Sequence, residues 1–117
     1  MAILNRDMLK EIKDDLFERQ FELVEIKPGI QVRIAQLSAE AGFAIVSMGD
    51  KDTPEKRNQE GILRWIAASC VDEDGKEVFK LDELKQMPFE LVQKLAQAVN
   101  RINAISSPEA VEDARKN

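Results

Sequence analysis

Histidine is absent from this 117-residue chain, and cysteine occurs once, as Cys70. Without histidine there is no imidazole base, no Ser-His-Asp or Cys-His nucleophilic arrangement, and no histidine-containing zinc site. A single cysteine also excludes an internal disulfide and a thiolate zinc site within one chain. Carboxylates and lysine still allow catalysis, but the sequence favours a protein that is not an enzyme, and it indicates no metal and no cofactor.

Other features that point to a ligand class are also missing. The five glycines are scattered singly, so there is no glycine-rich phosphate loop. No apolar run approaches the ~20 residues that a membrane-spanning helix needs, and the segment "MAILNRDMLKEIKDD" is too evenly charged for a signal peptide. The formal net charge is −5, and the basic residues never cluster without acids. We therefore expect a cytoplasmic protein of bacterial type that binds neither a membrane nor nucleic acid.

The length and the 44% hydrophobic content are typical of a single domain with a core of its own. We expect residues 1–106 to form that domain. Residues 107–117, "SPEAVEDARKN", carry too little apolar surface to order themselves, so the sequence predicts a polar, disordered C-terminal tail.

Apolar residues recur at helical spacing in several segments. The predicted helices are residues 7–19, a helix capped by Ser38, a helix from Thr53 to about Cys70, a short helix carrying Leu81, Leu84 and Met87, and residues 89–105. The segment 62–71 is apolar on nearly all sides. We therefore expect it to be buried, either by its own domain or by a partner subunit.

Between the first two helices the apolar period changes to two. In "FELVEIKPGIQVRI", residues 21–34, β-branched residues alternate with polar ones around Pro-Gly, which predicts one β-hairpin and an α+β fold. A three-residue loop pairs Ile26 with Ile30 and Val24 with Val32 on one face. A two-residue turn would move the partners to the other face, so we predict the longer loop.

The stretch "ILRWIAASCVDEDGKEVF", residues 62–79, looks most like a chemical site, because Cys70 precedes three acids and Gly75. A calcium-binding EF-hand loop with Gly75 at its sixth position would begin at Cys70 and end at Leu81. Both ends require oxygen ligands, so this register fails. We interpret residues 72–75 as a turn and Cys70 as a small buried hydrophobe rather than as a metal ligand or nucleophile.

Two further kinds of residue leave alternatives open. Trp65, the one tryptophan, either fills a core facing several helices or anchors an interface, and the first is favoured. Asn100 and Asn103, near the end of the last predicted helix, either fix a contact or fray the helix. Wide apolar stripes in a small domain indicate a protein that acts by contact, through its own oligomer or a partner.

The ordered motifs resemble those of the tail assembly chaperones of long-tailed bacteriophages and prophages, over about residues 21–106. In that family a hairpin ending in "V-x-V-R-x-L-S/T" precedes a helix, followed by "R-x-x-A-x-S-x-x-D-E-D-G-x-x-x-F", a short helix, and a last helix closing on "N-x-I/L". The matching residues are Val32, Arg33, Leu37 (one position later than the usual spacing), Ser38, Arg64, Ala67, Ser69, Asp72, Glu73, Asp74, Gly75, Phe79, Asn103 and Ile105.

The resemblance implies a non-enzymatic chaperone of the host bacterial cytoplasm that is absent from the mature virion. Such proteins bind the helical tape measure protein and keep it soluble until major tail (tube) protein subunits polymerise around it. They tend to form homo-oligomers, and their genes commonly also encode a longer, frameshifted form of the chaperone. The family has no agreed binding motif, and we predict Trp65, Phe79, Met87 and Phe89 as exposed partner-binding residues.

Two other functions remain possible at this point. The chain would be a structural tail or head–tail connector component if it stayed in purified particles. It would be a small acidic regulatory protein if it bound DNA or another protein through its helices.

Overall fold

The computed structural model of the chain describes residues 2–103, and these form five helices and one three-stranded antiparallel sheet. The elements are α1 (Arg6–Phe17), β1 (Phe21–Lys27), β2 (Ile30–Ala35), α2 (Ala39–Asp50), α3 (Pro54–Ser69), β3 (Cys70–Val71), α4 (Leu81–Gln86) and α5 (Phe89–Asn103). The prediction of a mostly helical α+β fold is confirmed. The predicted tail, the end of the predicted domain at residue 106 and the last two residues of the predicted 89–105 helix lie outside the described residues.

Polar side chains begin the first three helices. The backbone N–H of Met8 donates to Asn5 Oδ1 at 2.9 Å, and Ser38 and Thr53 accept in the same way from the third residue beyond them. Each hydroxyl or amide oxygen satisfies a backbone donor that the helix cannot. The predicted caps of α2 and α3 are therefore confirmed.

The hairpin register is partly as predicted. Val24 pairs with Val32, as expected. The predicted pairing of Ile26 with Ile30 is wrong, because Ile30 pairs with Lys27 and a bulge between Glu25 and Lys27 leaves Ile26 outside the pairing.

The predicted three-residue loop is also wrong, because only Pro28 and Gly29 join the two strands. The connection is a tight turn at Pro28 and Gly29, and Gly29 has a φ of +81°, a conformation that costs glycine little. One extra residue at Ile26 shifts the register by one, so the tight turn coexists with the apolar pairing farther along the strands. Ile26 itself packs against the core.

A third strand joins the predicted hairpin. Cys70 pairs with Ile34 and Val71 with Arg33, so the chain leaves α3 at Ser69 and enters the sheet directly. The expectation that Cys70 lies in the helix is wrong, although its burial is confirmed. Two residues are too few for an alternating pattern, so this strand exists through its pairing with β2.

The core lies between one face of the sheet and helices α3, α4 and α5. Its buried members are Val24, Val32, Ile34, Ile66, Cys70, Leu84, Leu95, Ala98 and Val99. Within residues 2–103, α1 contributes no buried residue and α2 contributes Ile45 and Gly49. No helix in this range is long and apolar enough to cross a membrane.

Candidate functional site

The acidic segment after Cys70 is a turn, as the sequence predicts. Asp72 Oδ1 accepts hydrogen bonds from the backbone N–H groups of Asp74 at 2.8 Å and Lys76 at 3.0 Å, and Gly75 has a φ of +82°. The bond from Lys76 is the main cause that lowers the pKa of Asp72. The Asp72 carboxylate therefore stabilises the turn, because it accepts hydrogen bonds from the backbone of the turn itself. In residues 2–103 no cluster of three or more Cys, Asp or Glu residues is placed to hold a metal ion.

Cys70 is buried and its thiol is unreactive. Its side chain is fully enclosed among core residues, and this burial raises the pKa of the thiol to about 12. A nucleophilic cysteine needs solvent access and a lowered pKa, and Cys70 has neither. The thiol therefore acts as a small hydrophobe at the junction of α3 and β3.

A network of ion pairs joins the α2–α3 loop to α3 and α4. Arg64 Nη2 lies 2.7 Å from Asp52 Oδ2 and 3.0 Å from Glu60 Oε2, and Lys85 pairs with the other oxygen of Glu60. The Arg64 guanidinium is the main cause that lowers the pKa of Asp52, and Lys85 is the main cause for Glu60. These charges neutralise one another, which is typical of a structural network.

An apolar groove begins where α1 ends. The first part, about 680 Å³, lies between Leu16 and Phe17 of α1, the segment at residues 36–39, and Ile102 and Asn103 of α5. Leu16 is 55% exposed and Phe17 64% exposed over the described residues. This part of the surface therefore offers apolar side chains to an incoming molecule.

The groove continues along α2. Its second part, about 270 Å³, is lined by Phe43 and Val46 of α2 and by Trp65 of α3. The two parts share Leu37, Ser38, Ala39 and Asn103, so they form one continuous surface. We call it the α2 groove.

Gly42 sets the distance between the two helices of this groove. A Cβ added at Gly42 would lie 3.3 Å from Cη2 of Trp65, which is tighter than ordinary van der Waals contact. Glycine therefore lets α2 approach the indole ring closely. Trp65 is half-buried, since it packs against the core on one side and lines the groove on the other. The core role favoured for Trp65 is therefore present, and the interface role stays a prediction.

Asn103 fixes the floor of the groove. Its Oδ1 accepts a hydrogen bond from the backbone N–H of Leu37 at 2.8 Å, and its Nδ2 donates to Ser69 Oγ at 3.3 Å and to the Val99 carbonyl at 3.1 Å. The amide thus joins the end of α5 to the segment before α2 and to the end of α3. Of the two alternatives for Asn103, the structure has the one in which it fixes a contact.

A second apolar surface lies on the face of the sheet away from the helices. Phe21 and Leu23 are each about half exposed there, and Ile30 and Val78 are about half exposed beside it. A cavity of about 580 Å³ opens between the hairpin and the segment that carries Val78. The guanidinium of Arg33 lies 4.4 Å from the ring centre of Phe21 and covers part of this face.

The predicted partner-binding residues are dispersed over the surface. Trp65 lines the α2 groove, and Phe79, half-buried, lines the cavity on the sheet face. Met87 is half-buried against the core just after α4, and Phe89 is 74% exposed at the start of α5. Neither of these two cavities includes Met87 or Phe89, so the four residues do not form one site.

The sequence-based list missed Phe43 and Val46. They are 71% and 56% exposed within residues 2–103, and they form one wall of the groove. A signal was present in "AEAGFAIVSM", a helix with few polar positions, because the same pattern at 62–71 predicted burial or a partner.

No protein-family model, no curated protein and no solved structure matches this chain. The groove is therefore interpreted from its own chemistry. Its second part is mostly apolar, and its first part combines apolar side chains with the charged Glu18 and Arg19. The ion-pair network of Asp52, Glu60 and Arg64 does not line it. Such a surface can cover an apolar stripe on another protein.

Proposed function

We propose that this protein is a bacteriophage tail assembly chaperone whose α2 groove binds an amphipathic helix of the tape measure protein. The observation that carries the proposal is the continuous apolar groove, with Phe43 and Val46 exposed along one wall. The ordered motifs that resemble the chaperone family supply the identity of the partner.

The apolar lining of the groove suits helix-in-groove recognition. An amphipathic helix presents side chains at positions i, i+3, i+4 and i+7, and these insert into a groove lined by apolar residues. A stretch from Leu16 to Val46 by way of Leu37 offers successive apolar contacts for such a stripe. Apart from Glu18 and Arg19 the lining residues are uncharged, which favours recognition of shape and apolar area over recognition of a particular charge pattern.

A tape measure protein requires that the apolar stripes of its helices be covered before assembly. A long rod of amphipathic helices exposes apolar stripes until tail tube subunits surround it, and exposed apolar surface promotes aggregation. We propose that the chaperone covers these stripes without covalent chemistry, and that it yields them when the major tail protein polymerises. The longer frameshifted form and a homo-oligomer belong to the same proposal.

Co-expression with the tape measure protein of the same phage or prophage tests this function. We expect the wild-type chain to increase the soluble fraction of the tape measure protein, and Val46→Asp to abolish that increase because it places a charge in the groove. Ile30→Asp is the matched control, since Ile30 is 54% exposed, much like Val46, and does not line the groove. It should retain the effect.

Three outcomes would contradict the proposal. If the wild-type chain leaves the tape measure protein insoluble, the chaperone function is wrong. If Ile30→Asp abolishes solubilisation and Val46→Asp does not, the sheet face is the binding surface. Detection of the protein in purified mature particles would instead favour a structural tail or connector component.

A further inference from the structure

Helix α1 has an apolar stripe that the rest of the described chain does not bury. Met8, Leu9, Ile12 and Leu16 recur at helical spacing, and Ile12 and Leu16 are 38% and 55% exposed over residues 2–103. A helix of 12 residues is marginally stable in water without tertiary contacts. Contact between this stripe and another apolar surface would therefore stabilise α1.

The α2 groove begins at the C-terminal end of α1. At this end of the sheet Phe21 pairs with Ala35, and two hydrogen bonds join the preceding Gln20 to the following Gln36. The backbone N–H of Gln36 donates to the Gln20 carbonyl at 2.9 Å, and the backbone N–H of Gln20 donates to Gln36 Oε1 at 2.8 Å. The C-terminal end of α1 and the N-terminal end of α2 are thus held near each other.

The two helices match in length and in the spacing of their apolar residues. Each has 12 residues, which corresponds to about 18 Å. Counted backwards from Gln20, the stripe residues Leu16, Ile12 and Leu9 stand at positions 4, 8 and 11. The apolar residues of α2 that line the groove stand at positions 3, 7 and 10 counted forwards from Gln36; they are Ala39, Phe43 and Val46. Each stripe residue of α1 is therefore one position farther from its anchor, Gln20, than the matching residue of α2 is from Gln36.

A short hinge separates α1 from the anchored Gln20. Glu18 ends the helix with extended backbone (φ −65°, ψ 127°), and Glu18 and Arg19 are exposed. A change in backbone dihedrals at these two residues would swing α1 about the fixed Gln20–Gln36 link. Hinges of this kind need few residues at the end of an element.

We propose that α1 is an intramolecular lid of the α2 groove, which folds back about residues 18–19 and covers Phe43 and Val46 with its apolar stripe. The direct tether gives the lid an effective concentration on the order of millimolar, so moderate apolar contact suffices for closure. Closure does not depend on the proposed function. Its consequence does, since α1 would compete with a tape measure helix for the same groove.

A cysteine pair tests closure in the absence of any partner. Leu9→Cys with Val46→Cys places two thiols at the matching register positions, and Lys10→Cys with Val46→Cys is the control on the polar side of α1. The native Cys70 should not form a disulfide in this test, because it is buried and burial raises the pKa of its thiol to about 12. We expect an intramolecular disulfide to form about tenfold faster in the first pair, because disulfide geometry is restrictive.

Two results would overturn the lid. Equal rates for the Leu9 and Lys10 pairs would mean that the stripe does not face the groove. A disulfide-linked dimer whose yield rises with protein concentration would mean that α1 covers the groove of a second copy.

The single tryptophan provides an independent measurement. Trp65 lines the groove, so its quenching by acrylamide should increase in Ile12→Asp, which charges the stripe, and stay unchanged in Lys10→Asp. Identical quenching of both variants would contradict the lid. Neither substitution touches the described core, because α1 has no buried residue there.

Binding of the tape measure protein separates the lid from the proposed function. If the lid is closed in half of the molecules, it doubles the apparent Kd, so Ile12→Asp should tighten binding about twofold. Suppose that the lid closes but that no variant binds the tape measure protein. This result would support the lid and contradict the chaperone function. Binding that Ile12→Asp does not tighten would contradict competition by the lid.

Discussion

Helices α3 and α5 on one side of the molecule, and α1 and α2 on the other, use apolar residues in opposite ways. Ile66, Leu95 and Val99 are completely buried against the sheet, whereas Phe43 and Val46 of α2 stay more than half exposed over the described residues. Burial of an apolar side chain stabilises the fold by roughly 1.5–3 kcal/mol, while exposed apolar area is available to a partner. The chain therefore separates a side that holds the fold from a side that offers contact.

The largest expected effect comes from the core. Ile66→Ala should lower the free energy of unfolding by about 2–5 kcal/mol, because it removes methylene groups and leaves a cavity. Val46→Ala, on the open side, should change it by no more than about 0.5 kcal/mol. Urea denaturation measures both. A cost at Val46 as large as that at Ile66 would contradict the division between a packed side and an open side.

The next effect concerns the amide that joins the two sides. Asn103→Ala should destabilise by about 1–3 kcal/mol, because it leaves the Leu37 N–H and the buried Ser69 hydroxyl without their partner. Asn100→Ala is the control, since Asn100 is exposed on the same helix. Denaturation curves that shift equally for the two variants would rule out a special role for Asn103.

Two glycines on the core side should respond in opposite directions. Gly75→Ala should cost about 1–2 kcal/mol, because its φ of +82° disfavours a Cβ. Gly61→Ala should instead stabilise by about 0.5–1 kcal/mol, because Gly61 lies inside α3 and a Cβ there meets no atom within 4 Å. Thermal unfolding of both variants measures the signs, and a stabilising Gly75→Ala would contradict the turn geometry.

The smallest effect is expected in the ion pairs of the α2–α3 loop. The pKa values of Asp52 and Glu60 lie below their ordinary values of 3.8 and 4.5, so the unfolded chain takes up protons first as the pH falls. Their stabilisation is complete above these ordinary values and is lost as the pH drops through the lowered ones. Stability measured from pH 6 to pH 2 should fall less steeply in Asp52→Asn than in Asp50→Asn, which changes an exposed neighbour. Equal slopes would show that the Asp52–Arg64 pair contributes nothing.

The motifs behind the family resemblance lie mainly on the side that holds the fold. Arg64 joins the ion-pair network, Asp72 and Gly75 form the turn, and Asn103 bonds to Ser69. Phe43 and Val46 are outside these motifs. A pattern built on such residues predicts architecture better than contact, and of the four predicted binding residues only Phe79 belongs to it.

Local chemistry made much of the fold predictable. Ser38 and Thr53 correctly predicted the starts of α2 and α3. The 3.6-residue apolar period predicted α1, α3 and α5 to within a few residues of their observed bounds. The bulge at Ile26 and the strand at Cys70 were not predictable, because each depends on a partner far along the chain. The groove was missed for the same reason.

The amino-acid sequence by itself determined where the helices and the hairpin form and that imidazole chemistry is excluded, because periodicity, capping and the lack of histidine act locally or through composition. Only the tertiary structure decided which apolar faces are covered. Leu95 and Val46 are both apolar residues on helices, and the difference between burial and exposure comes from how α5 and α2 pack against the rest of the molecule. The free energy of apolar burial depends on area removed from water, and that area is a property of the packed molecule.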